Sequence, residues 1–362
     1  MVEIRTVRLR DEQARIAELF RICYRQERSA EHWRWKFLLN PLAPADPEVI
    51  VAVENGRIVG ARHFMLAEMW LGNQKVMTAQ GCDDMVHPDH RRKGIYHRMG
   101  ELATRHLKEN GFALSYGIQG RMAMTDNLKQ GYRVVAQIED VFRAAKPARL
   151  LSYKLNNRVL AGGLGLAYDR LVNARVGGDP EPSDEFKVKV SDRFIGELAD
   201  VDSLRDRYAI ELVRAEGYLR WRFDQHPDHR YRYVVATRGD RLWAYAVVSV
   251  QKEVNGLVYG IVVDYSVRDR DVACFRALMS RCLEELGESE CDIALVWAFT
   301  QPLFRSELLK HFGLKSSLRL PYSRFFGYDC FGVMVVDERL AGRADMYDKA
   351  TWRITHVFHD IR

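Results

Sequence analysis

A block of aromatic and basic residues occurs twice in this chain, and that repeat constrains the fold more tightly than any other feature. Arg28, Arg34, Trp35, Phe37 and Pro41 return 186 residues later as Arg214, Arg220, Trp221, Phe223 and Pro227, with Lys36 matched by Arg222. Each block follows a strand-and-helix opening and leads into a hairpin, the second running Tyr233 to Ala236, Arg238-Gly239-Asp240-Arg241 and Leu242 to Val250. Two copies are too few for a solenoid, so the repeat implies a duplicated domain. Trp35, Phe37, Trp221 and Phe223 are expected in the core or at an interface rather than stacked on a substrate.

A length of 362 residues also fits two domains. The first is expected over residues 1–144 and the second over 186–362, joined by a helical connector and linker at 145–185. Leu150, Leu151, Leu155, Leu160, Leu164, Leu166, Leu171 and Val172 mark the amphipathic connector, interrupted by Gly162-Gly163. The turn-rich run Gly177-Gly178-Asp179-Pro180-Glu181-Pro182-Ser183-Asp184 marks the linker.

Other classes find little support. No apolar run of about 18 residues offers a membrane span, and Met1-Val2-Glu3-Ile4-Arg5 lacks the apolar core of a secretory signal. Six cysteines without a CxxC pair fit reduced thiols in a cytosol. His87, His90 and His97 lack the cysteine or carboxylate that would complete a metal-ligand spacing, so no metal is expected. A net charge of +6 suits a polyanionic cofactor without requiring nucleic acid.

The stretch with the most chemistry is Val86-His87-Pro88-Asp89-His90-Arg91-Arg92-Lys93-Gly94-Ile95-Tyr96. Before it, Val76 to Val86 reads as a strand; after it, Ile95, Met99, Leu102, Ala103 and Leu107 recur at helical spacing up to Asn110-Gly111. The basic turn therefore sits at a helix N-terminus, where unpaired amides and the helix dipole favour phosphate. Gly94 removes a side chain there, and Arg91, Arg92, Lys93 and Arg98 add charged donors suited to a pyrophosphate.

This stretch resembles the acyl-CoA pocket of the GNAT superfamily of N-acetyltransferases, whose hallmark is Gln or Arg, two residues, Gly, one residue, then Gly or Ala. Arg91 and Gly94 match, and Tyr96 departs from the pattern. The order of expected elements up to the basic turn, and Gln130-Gly131-Tyr132-Arg133-Val134-Val135 after it, also resemble a GNAT domain. The resemblance implies an α/β fold with mixed sheets, built as two tandem GNAT-like domains. It implies acetyl-CoA or another acyl-CoA as co-substrate, held by Arg91, Arg92, Lys93, Gly94, Ile95 and Tyr96, with the backbone of Met85 and Val86 beside the pantetheine arm. In the second copy the matching turn falls near Val267 to Phe275, where Arg268-Asp269-Arg270-Asp271 has no glycine and two acids, so no CoA is expected there.

Amide formation needs a neutral amine, so a base is useful. Family members often carry it on the strand before the loop, which here offers Asp83 and Asp84. Regular pleating turns one of the two toward substrate. Asp84 is favoured because it would share a face with Gln80, where some relatives carry a catalytic carboxylate. Many relatives also protonate the leaving thiolate with a tyrosine placed where this chain has Asn127, an amide that cannot serve; Tyr116 is the substitute candidate.

The resulting expectation is an acyl-CoA-dependent N-acyltransferase acting on a small-molecule amine such as an amino sugar, an amino acid or an antibiotic-like amine, by direct attack in a ternary complex. Neither nucleic acid nor membrane is an expected partner, and a homodimer stays open. Two alternatives remain: a non-catalytic acyl-CoA-binding or sensing protein, and an aminoacyltransferase of the FemX kind, which uses charged tRNA and lacks the CoA loop.

Overall fold

The structure, a computed structural model, describes residues 1–150, 185–205, 209–252, 256–289, 291–319 and 329–359. Most of the expected connector and the whole Gly/Pro-rich linker lie outside the described residues.

The first half runs β1 (Glu3–Arg8), α1 (Leu9–Tyr24), α2 (Ala30–Trp33) with a π-helical turn at Arg34–Leu38, β2 (Glu48–Glu54), β3 (Arg57–Leu71), β4 (Gln74–Val86), α3 (Ile95–Glu109), β5 (Leu114–Gly120), α4 (Arg121–Lys129), β6 (Arg133–Gln137) and β7 (Val141–Ala144). Two local readings of the sequence, Asp11 as the N-cap of the first helix and separate strands at Ile58 to His63 and Met65 to Leu71, are corrected. Asp11 is not the N-cap of α1: the helix starts at Leu9, and Asp11 lies in the first turn, where a carboxylate suits the positive end of the dipole. The two strands expected at Ile58 to His63 and Met65 to Leu71 are one long strand, because β4 pairs with it along its length from Gly60 to Leu71.

The second half repeats the plan with β8 (Lys187–Ser191), a 3-10 segment at Gly196–Leu204, β9 (Ile210–Leu212), α5 (Glu216–Leu219) with a π-helical turn at Arg220–Asp224, β10 (Tyr231–Arg238), β11 (Arg241–Lys252), β12 (Val258–Val267), α6 (Val272–Glu288), β13 (Ile293–Val296), α7 (Pro302–Lys310), β14 (Lys315–Ser316) and β15 (Asp329–Val335). Both repeated blocks thus form the same unusual element, a short α-turn opening into a π-turn.

The strands form two mixed sheets that exchange a strand. The first has the order β1-β2-β3-β4-β5-β15-β6, with β9 also paired to β3, and the second β14-β7-β13-β12-β11-β10-β8. β15, from the end of the chain, lies antiparallel between β5 and β6, while β7, from the first half, lies between β13 and β14. Each sheet therefore depends on the other half for an interior strand.

The repeated blocks meet at the seam. Trp35 and Trp221 stack with ring centroids 5.3 Å apart, and each donates its indole N–H to the other's backbone carbonyl, at 2.7 and 2.8 Å. This reciprocal pattern is that of a two-fold interface between equal subunits, here within one chain. Around it lie buried histidines: His32 and His226 pack on Trp35, and His63 lies against Trp33 and Phe37. Burial lowers both His32 and His63 from 6.5 to about 4.

Trp35→Ala and Trp221→Ala should each cost about 3–5 kcal/mol of stability. Because the rings touch, the double variant should lose less than the sum; urea denaturation of the four proteins measures this, and simple additivity would contradict a coupled pair. The buried histidines set a pH dependence. Between the folded value near 4 and the ordinary 6.5 the unfolded chain binds more protons, so stability falls as pH drops through that window and levels below it. His63→Phe should flatten the slope, by up to roughly 3 kcal/mol across the window, as followed by urea midpoints from pH 7.5 to 3.5.

Candidate functional site

β4 and β5 pair in parallel from Thr78 with Leu114 to Gln80 with Tyr116, and their pairing stops there although both strands run on. The cleft so opened leads to the N-terminus of α3. Gly94 is the N-cap residue with φ +72°, a conformation that strains other residues, and a Cβ added there would meet nothing within 4 Å. The glycine thus answers to the backbone, and space stands open in front of it. No side chain caps the helix, so its first amides are free for an anion. Arg91, Arg92, Lys93 and Gly94 are exposed, Ile95 is buried beneath them and Tyr96 is half-buried. Met85 is in the core, whereas half-buried Val86 packs beside α3 and its carbonyl accepts from Arg91 Nε at 3.2 Å. The expected CoA residues are therefore assembled around one corner.

The expectation for the carboxylates is corrected by a β-bulge. Ala61 pairs with Met85 and His63 with Cys82, so β4 holds one residue more than β3 between these points, and Asp83 takes φ +50°. Alternation breaks there. Gln80 and Cys82 keep to the face that meets α1 and the C-terminal residues, Gln80 donating to the Phe358 carbonyl at 2.8 Å. Asp84 turns to the α3 face and does not share a face with Gln80.

On the α3 face, Asp84 belongs to a polar network that spans the cleft. The Tyr96 hydroxyl stands 3.0 Å from Asp84 Oδ2 and 2.9 Å from Asn127 Oδ1 on α4. A phenol has one proton, so one contact must be donated by the partner: Asp84 in its protonated form, or Asn127 with its amide turned. Buried Arg62 lies 3.5 Å from the same Asp84 oxygen and donates to Gln130 Oε1 at 2.8 Å. Gln130 lies against Gly100, where any Cβ would collide with it, so the glycine permits α3 and α4 to close together. Burial pushes the Asp84 carboxyl above its ordinary range, opposed by Arg62 and Tyr96. Burial and Asp84 push the Tyr96 phenol well above 10. Asp84 is thus a carboxylate with raised affinity for a proton.

Asp83 is different. Its Oδ2 lies 2.5 Å from Arg28 and 2.8 Å from Lys36, both buried. Burial alone would raise its pKa, but Lys36 and Arg28 overcome that and hold the carboxyl well below the usual range, so it cannot act as a base near neutral pH. Tyr116 is also misplaced for its expected role. It is buried against Phe331 and Phe358, stands 3.4 Å from Gln80 Oε1, and has its phenol pushed well above 10 by burial. Asp83 and Tyr116 face the opposite side of the sheet from Asp84, so the three candidates do not converge.

Sequence reasoning missed Arg62, Gln130 and the pairing of Arg28 and Lys36 with Asp83. The repeat carried a signal for the last: Arg214, the counterpart of Arg28, makes a two-pronged pair with Asp264 in the second copy, at 2.9 and 3.0 Å. The second copy's helix start is unlike the first. Asp271 caps α6 by accepting from the Cys274 amide at 3.0 Å, and Arg268 is turned inward onto the Leu242 carbonyl. The position open in α3 is filled by a carboxylate in α6.

Among the described residues no helix is long and apolar enough to cross a membrane, and no group of three or more His, Cys, Asp or Glu side chains is placed to hold a metal.

Residues 3–133 match a family described as an acetyltransferase (GNAT) domain. No curated protein matches the chain. Among solved structures, a probable N-acyltransferase from Enterococcus faecalis V583 is similar with TM-score 0.61 and 11% identity, over 93% of this chain and 73% of that one. A GCN5-related N-acetyltransferase from Anabaena variabilis ATCC 29413 gives 0.60 and 10%, over 92% and 73%. A tandem GNAT protein from the clavulanic acid biosynthesis pathway gives 0.55 and 15%, over 93% and 99%. Residues 3–133 therefore match an acetyltransferase (GNAT) domain, and the chain as a whole has the tandem GNAT fold.

Proposed function

We propose that the chain is an acyl-CoA-dependent N-acyltransferase, in its simplest form an acetyltransferase, acting on a small-molecule amine in the cytosol. One observation carries the proposal: α3 begins uncapped beneath exposed Arg91, Arg92 and Lys93 beside unpaired strand ends, whereas its sister α6 is capped by Asp271. Free amides and three cations fit a pyrophosphate. The first half therefore takes the donor and the second half does not. The six free cysteines accord with a reducing compartment.

Asp84 is the base in this reading. Its raised proton affinity suits removal of a proton from the substrate ammonium. The freed amine attacks the thioester carbon, the C–N bond forms, the C–S bond breaks, and the second amine proton neutralises the departing thiolate. Tyr96 and Arg62 hold the Asp84 carboxylate in place. A second reading, binding without turnover, is favoured by the Tyr96 bridge between Asp84 and Asn127, which ties β4 to α4 across the cleft.

Calorimetry should find one acetyl-CoA bound per chain. Gly94→Glu, which adds a charge facing the phosphates and strains a backbone at φ +72°, should weaken binding at least tenfold. Absence of binding to the natural protein contradicts the proposal, as does full binding by the variant. Thiol release from acetyl-CoA with a panel of amines separates the two readings. With an accepted amine in hand, Asp84→Asn should lower kcat/KM by roughly 10²-fold or more and remove the acidic limb of the pH profile; an unchanged profile removes Asp84 as the base.

A further inference from the structure

A cavity of about 350 Å³ lies outside the cleft, beside the edge of β3. β2 pairs with β3 as far as Arg62, and β9 pairs with it from Met69 onward. The edge between them is spanned by the loop after α2, where Asn40 donates to the Leu66 carbonyl at 2.9 Å. The cavity opens in this gap and has the size of a small-molecule site. Its wall is mainly apolar, with Phe37, Leu66, Met77, Leu107 and Phe112 among the lining side chains.

The polar groups in the wall are satisfied, with one exception. Asn40 uses its amide on the Leu66 carbonyl and its oxygen on the Leu42 amide. Lys36 is paired with Asp83, and Glu48 faces His106 at 3.8 Å across partly exposed positions. His63 Nε2 is buried without a partner. The other ring nitrogen, Nδ1, stands 3.3 Å from the Asp83 carbonyl, which can only accept, so Nδ1 carries the hydrogen and Nε2 presents a bare lone pair. Burial keeps the ring neutral near pH 7. A buried acceptor without a donor is destabilising, and a matching ligand would recover that loss.

Charge narrows the class. The Lys36 ammonium in the same wall disfavours a cationic ligand, and a lone pair disfavours a carboxylate. We propose that this cavity binds a small, uncharged, largely apolar molecule whose buried end carries one hydroxyl or amide N–H, donated to His63 Nε2. The site adjoins the C-terminal end of α3, at His106 and Leu107, away from the Gly94 corner at its N-terminus, and does not rest on the acyltransferase reading.

Three probes with one chain test it: 1-octanol, octanoate and octylammonium, titrated at pH 7.5 into the full chain. Octanol should bind at least tenfold more tightly than either ion and should move the His63 Nε2 nitrogen resonance. Leu66→Trp, which fills the cavity, should abolish both effects. No octanol binding, equal binding of the three probes, or binding that leaves His63 unmoved and survives Leu66→Trp each overturns the proposal. The natural protein alone supplies the first readout, so a poorly folding variant does not blunt the test.

Discussion

The contact on which the rest depends is the Trp35–Trp221 pair. Each indole is fully engaged, its ring by its twin and its N–H by the twin's carbonyl, so neither can move without unpairing the other. The pair sits in two copies of one sequence block, and it fixes how the halves face each other. The strand exchange follows the same logic. β15 completes the first sheet and β7 the second, so each half lacks an interior strand by itself. An unfilled place between β5 and β6 would expose two rows of backbone donors and acceptors. The halves are therefore one cooperative body despite their separate sheets.

On this symmetric frame the two sites have diverged. Both copies keep an arginine from the repeated block against an aspartate of the fourth strand, Arg28 with Asp83 and Arg214 with Asp264, and both keep the π-turn. These shared features serve the fold. What differs lies at the helix starts: glycine with open amides in α3, a capping aspartate in α6. A single carboxylate at that point engages an amide of the kind that α3 leaves without a side-chain partner. On the face of β4 opposite α3, residues of the second half pack close, among them Phe358, whose carbonyl accepts from Gln80.

Much of this was legible in the chain itself. The 186-residue spacing announced the duplication, and the strand, basic turn and amphipathic helix announced the corner at Gly94. Alternation failed at Asp83 and Asp84 because counting by twos assumes regular pleating, and one bulged residue reverses every face beyond it. The strand exchange was hidden because β7 and β15 have no local mark of which sheet they join; that choice rests on contacts hundreds of residues away in sequence. In the sequence Tyr96 is only a departure from the pattern of the basic turn. In space its hydroxyl reaches Asp84 and Asn127, two other positions where the chain had stood out, and only the packing of α3 on α4 brings them together.

The central claim is that two like halves differ in whether the fourth strand's helix can grip a nucleotide. Backbone amide resonances of Gly94 to Tyr96 and of Val272 to Cys274, followed during a CoA titration, test it most directly. The account predicts large shifts at the first set and none at the second. Shifts at the second set, or at neither, would contradict it.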